Sequence, residues 1–336
     1  MAPRAFNNFF AKHYKKHPFF LQVFLFLFPF VFFPLIDKNI YHIDLMTNVG
    51  IYVLLAMGLN VVVGFAGLLN LGYAAFFAIG AYTYALLNIH WGISFWIGLP
   101  LAGLLSMFFG LVIGIPSMRV RGDYLAITTL GFGEIIRIAF NNLDAWTGGP
   151  NGLLGIDRPA IGPWRFSVNP TPYFYLALFL VAVTAYLLFR MSDSKIGRAL
   201  VAIREDELAA SCMGIPTLKV KLYAFGLSSF IAGVAGALFA SKQTIITPDS
   251  FDFVLSVLIL AMVVLGGMGN IWGSALGALV LGVLPEVLRG FASYRMLIFG
   301  IIVILMMSFR PQGILGGQLI RRELNSRHKE AGDAAS

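Results

Sequence analysis

Ser192-Asp193-Ser194-Lys195-Ile196-Gly197-Arg198-Ala199-Leu200-Val201-Ala202-Ile203-Arg204-Glu205-Asp206-Glu207-Leu208-Ala209-Ala210-Ser211-Cys212-Met213-Gly214-Ile215 is a polar interval in a chain made mostly of apolar residues. Charged residues are 12% of the 336, yet Arg190 to Lys221 holds six Lys/Arg and four Asp/Glu. Asp193 and Ser194 can cap a helix N-terminus, and Gly214 followed by Pro216 can end one. Between them Ile196, Ala199, Leu200, Ile203 and Ala210 form an apolar stripe, with Arg198, Arg204, Glu205 and Asp206 off it. The pattern predicts a short amphipathic helix from about Ile196 to Met213, strung between two apolar runs. Such a helix is either a solvated connector or a segment that docks into a groove on a soluble partner.

Outside this interval the chain reads as oil. Hydrophobic residues are 58% of it, including 31 Phe, against about 45–50% in soluble domains. Several runs reach the roughly 18 residues that argue for a spanning helix, and the run from Phe19 to Ile36 offers no polar face to water. The class is all-α: a polytopic membrane protein. A net charge of +8 then reflects the positive bias of cytoplasmic loops rather than nucleic-acid binding. Cys212 stands alone, so no intrachain disulfide is possible. The first apolar run, preceded by Arg4, Lys12, Lys15 and Lys16, is too long for a signal-peptide core and lacks a small-x-small cleavage site. It is expected to be a retained anchor with a cytoplasmic N-terminus.

Ten candidate spans follow: 19–36, 45–63, 73–89, 93–115, 124–142, 173–190, 220–240, 254–266, 272–288 and 293–309. With the N-terminus inside, ten crossings put Arg119/Arg121, the polar interval and the basic tail (Arg321, Arg322, Arg327, Lys329) on the cytoplasmic side. The longest outer loop, 143–172, carries only Arg158 and Arg165 against Asp144 and Asp157. Charge and parity agree. The expected organisation is a cytoplasmic N-terminus and anchor over 1–44, a core over 45–318 that includes the polar segment 191–219, and a cytoplasmic tail over 319–336. Small residues recur at packing intervals: Ser228/Ala232/Gly236/Ala240, Gly269/Gly273/Gly277 and Gly110/Gly114. They serve either to pack helices or to line a path. Two spans are interrupted alike, Gly67-Leu68-Leu69-Asn70-Leu71-Gly72 beside Gly269-Asn270-Ile271-Trp272-Gly273. Paired interruptions point to a transport site between two halves, although the span count puts both on one side, which does not fit a simple inverted repeat.

No catalytic or metal constellation is legible. His13, His17, His42, His90 and His328 are scattered, and HExxH, GxSxG, CxxC and P-loop patterns are missing. No loop is long enough to build a soluble ligand-binding domain. Ionisable groups within spans carry the functional weight. Gly131, Glu134, Ile138 and Asn141 share a helical face, with Arg137 three residues after Glu134. Glu134 and Arg137 are either a structural ion pair or part of a path. Glu286 and Arg289 repeat the spacing at a span end, where a boundary salt bridge is the expectation. Asn60, Asn70, Thr128, Glu134, Arg137 and Asn141 are the candidates for a translocation path. An ion-coupled transporter would lean on Glu134 and leave the polar interval without a task. A membrane enzyme would need a nucleophile and base that the chain does not show.

The polar interval resembles the cytoplasmic coupling segment of ABC importer permeases: Leu208-Ala209-Ala210-Ser211-Cys212-Met213-Gly214 is similar to their EAA-x-x-x-G loop. It departs from it in having Leu208 at the glutamate position, with Glu207 one residue early. That departure is typical of the high-affinity branched-chain amino acid permeases. Other stretches resemble that family too: Gly58-Leu59-Asn60-Val61-Val62-Val63-Gly64-Phe65-Ala66-Gly67, Arg121 to Arg137, Thr147-Gly148-Gly149-Pro150-Asn151-Gly152, Ile259 to Gly269, and Phe309-Arg310-Pro311-Gln312-Gly313. The resemblance covers roughly 45–316 and leaves out the Phe-rich first span and the tail.

The resemblance implies an ABC importer permease fold in a bacterial inner membrane; the span count and charge bias are what predict both termini to be cytoplasmic. It implies a second permease subunit, two ATPase subunits and a periplasmic binding protein that delivers leucine, isoleucine or valine. Related permeases carry urea, short-chain amides or other amino acids. ATP and Mg²⁺ belong to the ATPases, so no cofactor is expected on this chain. The residues implied in ATPase coupling are Gly197, Arg198, Ile203, Arg204, Glu205, Asp206, Glu207, Ala209, Ala210 and Gly214. Ile203 is expected to anchor the partner. The small residues Ala199, Ala209, Ala210 and Gly214 would let a groove close around the helix.

Overall fold

A computed structural model describes residues 28, 30–118, 123–161, 164–166, 170–288, 300–301, 304 and 313–315. Most of the 19–36 and 293–309 spans, Arg119/Arg121, Arg289 and the basic tail lie outside the described residues.

The chain is built of helices: α1 Ile40–Asn60, continued by a π turn Val61–Phe65; α2 Tyr73–Trp91; α3 Phe95–Ser117; α4 Asp123–Asn142; α5 Asp144–Thr147; α6 Thr171–Ser192; α7 Lys195–Glu205; α8 Glu207–Cys212; α9 Thr217–Gln243; α10 Phe253–Gly266; and α11 Ile271–Val287. Each of the eight candidate spans from 45–63 to 272–288 coincides with one of them. Among the described residues, five segments are long and apolar enough to cross a membrane: Ile40–Phe65, Phe95–Ser117, Thr171–Ser192, Thr217–Gln243 and Pro248–Gly266; Ile271–Val287 is shorter.

The core forms where α1, α2 and α9 meet. Leu54, Leu55, Met57, Tyr73, Phe76, Tyr84 and Phe225 are wholly enclosed there. Small residues let the backbones close. A Cβ on Gly80 would strike the Gly233 backbone, and one on Gly110 would strike Ser229. The small-residue faces therefore pack helices to one another, which is how close approach is reached in lipid. Hydroxyls fasten the contacts: Tyr73 Oη donates to Ser228 O (3.1 Å), Ser228 Oγ to Gly58 O (2.8 Å), Tyr173 Oη to Ser241 O (2.9 Å) and Ser106 Oγ to Phe76 O (3.1 Å). Gly80→Ala is expected to lower the melting temperature of the detergent-purified chain, at about 1–3 kcal/mol. Gly131→Ala, where the Cβ would meet open space, is expected to hold or raise it by the usual helix preference of Ala over Gly, about 0.5–1 kcal/mol.

The bundle has two distinct ends. At one lie the polar interval, the π turn and the Gly266–Ile271 break. At the other, β1 (Leu153–Leu154) pairs antiparallel with β4 (Ile245–Ile246), Leu153 opposite Ile246, and β2 (Ala160–Ile161) pairs with β3 (Trp164–Arg165). Lys242 also sits at that second end, bonded to Asp44 (2.9 Å) and Asn48 (2.6 Å). Asp37, in the turn before α1, accepts the Asn39 N–H and contacts His42, which together hold its carboxyl below the usual range.

Candidate functional site

The polar interval is two helices, not one. Ser194 caps α7 by accepting from Gly197 N (3.3 Å). At Asp206 the chain becomes extended (φ −156°, ψ 112°), and the Asp206 carboxylate caps α8 by accepting from Leu208 N (2.8 Å) and Ala209 N (3.0 Å). The single helix expected from Ile196 to Met213 is broken because Asp206 satisfies the backbone better as a cap than as an interior residue. Gly214 ends α8 with φ +81°.

The apolar stripe points into the chain's own bundle. Leu200, Ile203 (5% exposed) and Ala210 (4% exposed) are core residues, with Ile196 and Ala199 packed against them. Ile203 and Ala210 therefore seat the segment on the bundle and are not open to another protein, a correction to the expected anchor. The outward face is Leu208 (63% exposed), Ala209, Cys212 and Met213 (83%), bordered by Arg198, Glu205 and Asp206. Glu207 turns back to α9, where its carboxylate meets Lys221 Nζ at 2.5 Å. Lys221 is only 5% exposed.

Arg204 reaches across the end of α1 and donates from Nη1 to Gly64 O (2.7 Å). In the same turn, Asn60 is fully buried. Its Oδ1 accepts from Gly269 N (2.9 Å) and its Nδ2 donates to Asn270 O (3.1 Å). The two interrupted spans therefore meet at one end of the bundle, as their same-side placement required. Asn270 caps α11 through Trp272 N and Gly273 N, and its Nδ2 donates to Leu315 O (3.0 Å). Asn70 is buried and accepts from Gly72 N (3.1 Å); its Nδ2 has no protein partner among the described residues.

The expected path residues thus separate into two groups. Asn60 and Asn70 lie inside the bundle and tie turns together. Thr128, Glu134, Arg137 and Asn141 lie on α4, whose open side also presents Tyr124, Ile127, Gly131, Ile135 and Ile138. Thr128 Oγ1 donates back to Tyr124 O (2.8 Å). Arg137 Nε meets Glu134 Oε2 at 3.0 Å, each about one-third exposed, and Arg137 Nη1 meets Asp249 Oδ1 at 3.4 Å. The i,i+3 pair is real, and a third member, Asp249, comes from 112 positions away. The open side of α3 differs in kind: Ile97, Leu101, Leu104, Phe108, Val112 and Ile115 are all apolar. Sequence spacing does not reveal the Glu207–Lys221 or Lys242–Asp44 pairs; the available signal is a lysine near the end of an apolar span, which must find an acceptor. Among the described residues no three His, Cys, Asp or Glu side chains gather as a metal site.

Comparisons with known proteins fit this arrangement. The chain is 46% identical over 295 residues to the high-affinity branched-chain amino acid transport system permease protein LivM of Salmonella typhimurium, covering 81% of this chain and 69% of that protein. It is 45% identical to the LivM protein of Escherichia coli with the same coverage. The LivH permease of Salmonella typhimurium is 27% identical over 286 residues, 79% of this chain and 91% of LivH. No solved structure matches. The family described as branched-chain amino acid transport system / permease component matches residues 41–307, and the chain belongs to it.

Proposed function

We propose that the chain is one permease subunit of an ATP-driven importer of branched-chain amino acids, built with about ten spans on the ABC importer permease fold. The observation that carries the mechanism is the two-sided α7–α8 segment. Its apolar stripe is used up on the bundle, yet Leu208, Ala209 and Met213 remain open beside a charged border. An interface core of apolar residues with a polar rim is what a soluble partner would need. That partner is an ATPase subunit, which supplies the ATP and Mg²⁺ site for which this chain has no sequence. The positive bias of the loops supports a cytoplasmic side for this end and for both termini, and the likeness to the LivM proteins supports a bacterial inner membrane. The β1–β4 end then meets the periplasmic binding protein.

The second permease lies against α4. Glu134, Arg137, Thr128 and Asn141 are too polar for a lipid-facing side, unlike the α3 face. A permease similar to LivH would close the other half of the path around them. The likeness to proteins named for branched-chain amino acid transport supports the substrate class. Glu134→Gln is expected to cut uptake about tenfold, a loss of about 1.4 kcal/mol from the rate-limiting step, while the complex still assembles. If Glu134 and Arg137 act only as a structural pair, uptake will instead track assembly, and the double change to Gln will restore both.

Proteoliposomes holding this chain, a second permease and the ATPases, supplied with a binding protein, test the proposal. ATP-dependent leucine uptake that stops when this chain is omitted is the expected result. ATP hydrolysis by this chain alone, or uptake driven by an ion gradient without ATP, would contradict it.

A further inference from the structure

We infer that Arg204 is the positioning residue through which movement of α7 reaches both interrupted helices. This rests on reading α7 and α8 as the ATPase-facing segment. The last carbonyls of a helix have no partner within it and carry its negative end. At the end of α1 one of these, Gly64 O, receives a cationic donor at 2.7 Å from Arg204. The approach is built for that side chain. Gly67, at φ +69°, runs beneath the arginine stem, and a Cβ there would come within 2.9 Å of Arg204 Cγ. Nor is there room at Gly64, where a Cβ would strike Asn60 and the Gly269 backbone.

From Gly64 the connection is continuous. Asn60, four residues earlier, holds Gly269 N and Asn270 O of the second break. Asn270 holds the first turn of α11 and Leu315 O. Leu315 N and Ile314 N in turn donate to Gly266 O and Leu265 O at the end of α10. One guanidinium thus bonds directly to the end of α1, and Asn60, Asn270 and residues 314–315 carry the connection on to α11 and α10.

The element able to yield is the π turn Val61–Phe65. Its hydrogen bonds run i→i+5 where an α-helix has i→i+4, and such turns recur at functional positions within helices. A pull on Gly64 O acts on that register. Asn60, anchored at the start of the turn, carries the displacement to the Gly266–Ile271 break. The present π register and an α register of the same turn would be the two states that coupling between distant sites requires.

The test uses the assembled transporter with radiolabelled leucine and measures three quantities: ATPase co-purification, ATP hydrolysis and leucine moved per ATP. Arg204→Leu is expected to retain the ATPases and to lower leucine per ATP about tenfold, within the usual range of coupling between sites. Arg204→Lys, which can still place a cation on the carbonyl, is expected to recover most of the ratio. Asn60→Leu should lower it similarly, and the double variant should be no worse than either single, because both remove one connection. A ratio unchanged in Arg204→Leu, with uptake falling only as assembly falls, would reduce Arg204 to a structural cap and overturn the inference. Fully additive losses in the double variant would also overturn it. Met213→Glu separates the two claims. If it leaves ATPase co-purification intact, the docking reading falls and takes this inference with it. If it weakens co-purification while Arg204→Leu keeps the ratio, only the role of Arg204 is lost.

Discussion

Glu207→Gln is expected to release α8 from the bundle and to abolish most uptake. The substitution leaves Lys221 Nζ in a site where the residue is 5% exposed, without the carboxylate it now meets at 2.5 Å. Removing one partner of a fully buried pair costs about 3–5 kcal/mol. Glu207 itself is more than one-third exposed, so the loss here is on the order of 2–3 kcal/mol. Apart from this pair, α8 is held mainly by the Asp206 cap and the small buried side chain of Ala210. Lys221→Met alone should be milder, because it leaves only an exposed-side carboxylate unpaired. Combining Glu207→Gln with Lys221→Met should recover stability, since a neutral pair of similar shape carries no stranded charge. The check is a double-mutant cycle on melting temperature and leucine uptake. Additive losses would show that the pair does not hold α8.

The second large effect concerns the outward face. Leu208→Glu and Met213→Glu are each expected to weaken ATPase binding by about 2 kcal/mol or more, the size typical of a central interface residue, and so about thirtyfold. Membrane levels of the chain should stay normal, because neither side chain packs on the bundle. Ala210→Arg and Ile203→Asp should behave differently. Both positions are core, so a charge there is expected to reduce membrane levels before any question of docking arises. Normal membrane levels with lost docking in all four variants would mean that α7 and α8 sit the other way round.

Much of this arrangement was legible in the sequence. The 3.6-residue stripe of Ile196, Leu200 and Ile203 gave the existence and the buried side of α7, and Gly214 marked the end of α8. The same pattern could not say that the stripe would be consumed by the chain's own bundle. Amphipathicity fixes that a side is buried, not by what. The kink at Asp206 was hidden because an acidic residue can sit within a helix or cap one, and only the turn geometry decides. Span positions were readable from hydropathy, but α2 and α4 are not among the five described segments long and apolar enough to cross a membrane. α2 is instead enclosed by its neighbours, and α4 keeps polar groups on its open side. The i,i+3 spacing exposed the Glu134–Arg137 pair; Asp249 stayed invisible because chain folding alone brings it near. Asn60 and Asn70 were noticed as polar residues at breaks. Both are buried and hold turns together.

The most direct measurement exploits the chain's single cysteine. Cys212 is free and exposed on the outward face beside Met213. In membranes carrying the assembled transporter, a short bifunctional reagent anchored on Cys212 should capture an ATPase subunit, identified by mass spectrometry of the joined peptides. The product should disappear in the Met213→Glu variant. Labelling of Cys212 from the outer side of intact cells, or capture of no ATPase peptide while the transporter remains assembled and active, would contradict the assignment of α7 and α8 as the segment that receives the ATPase.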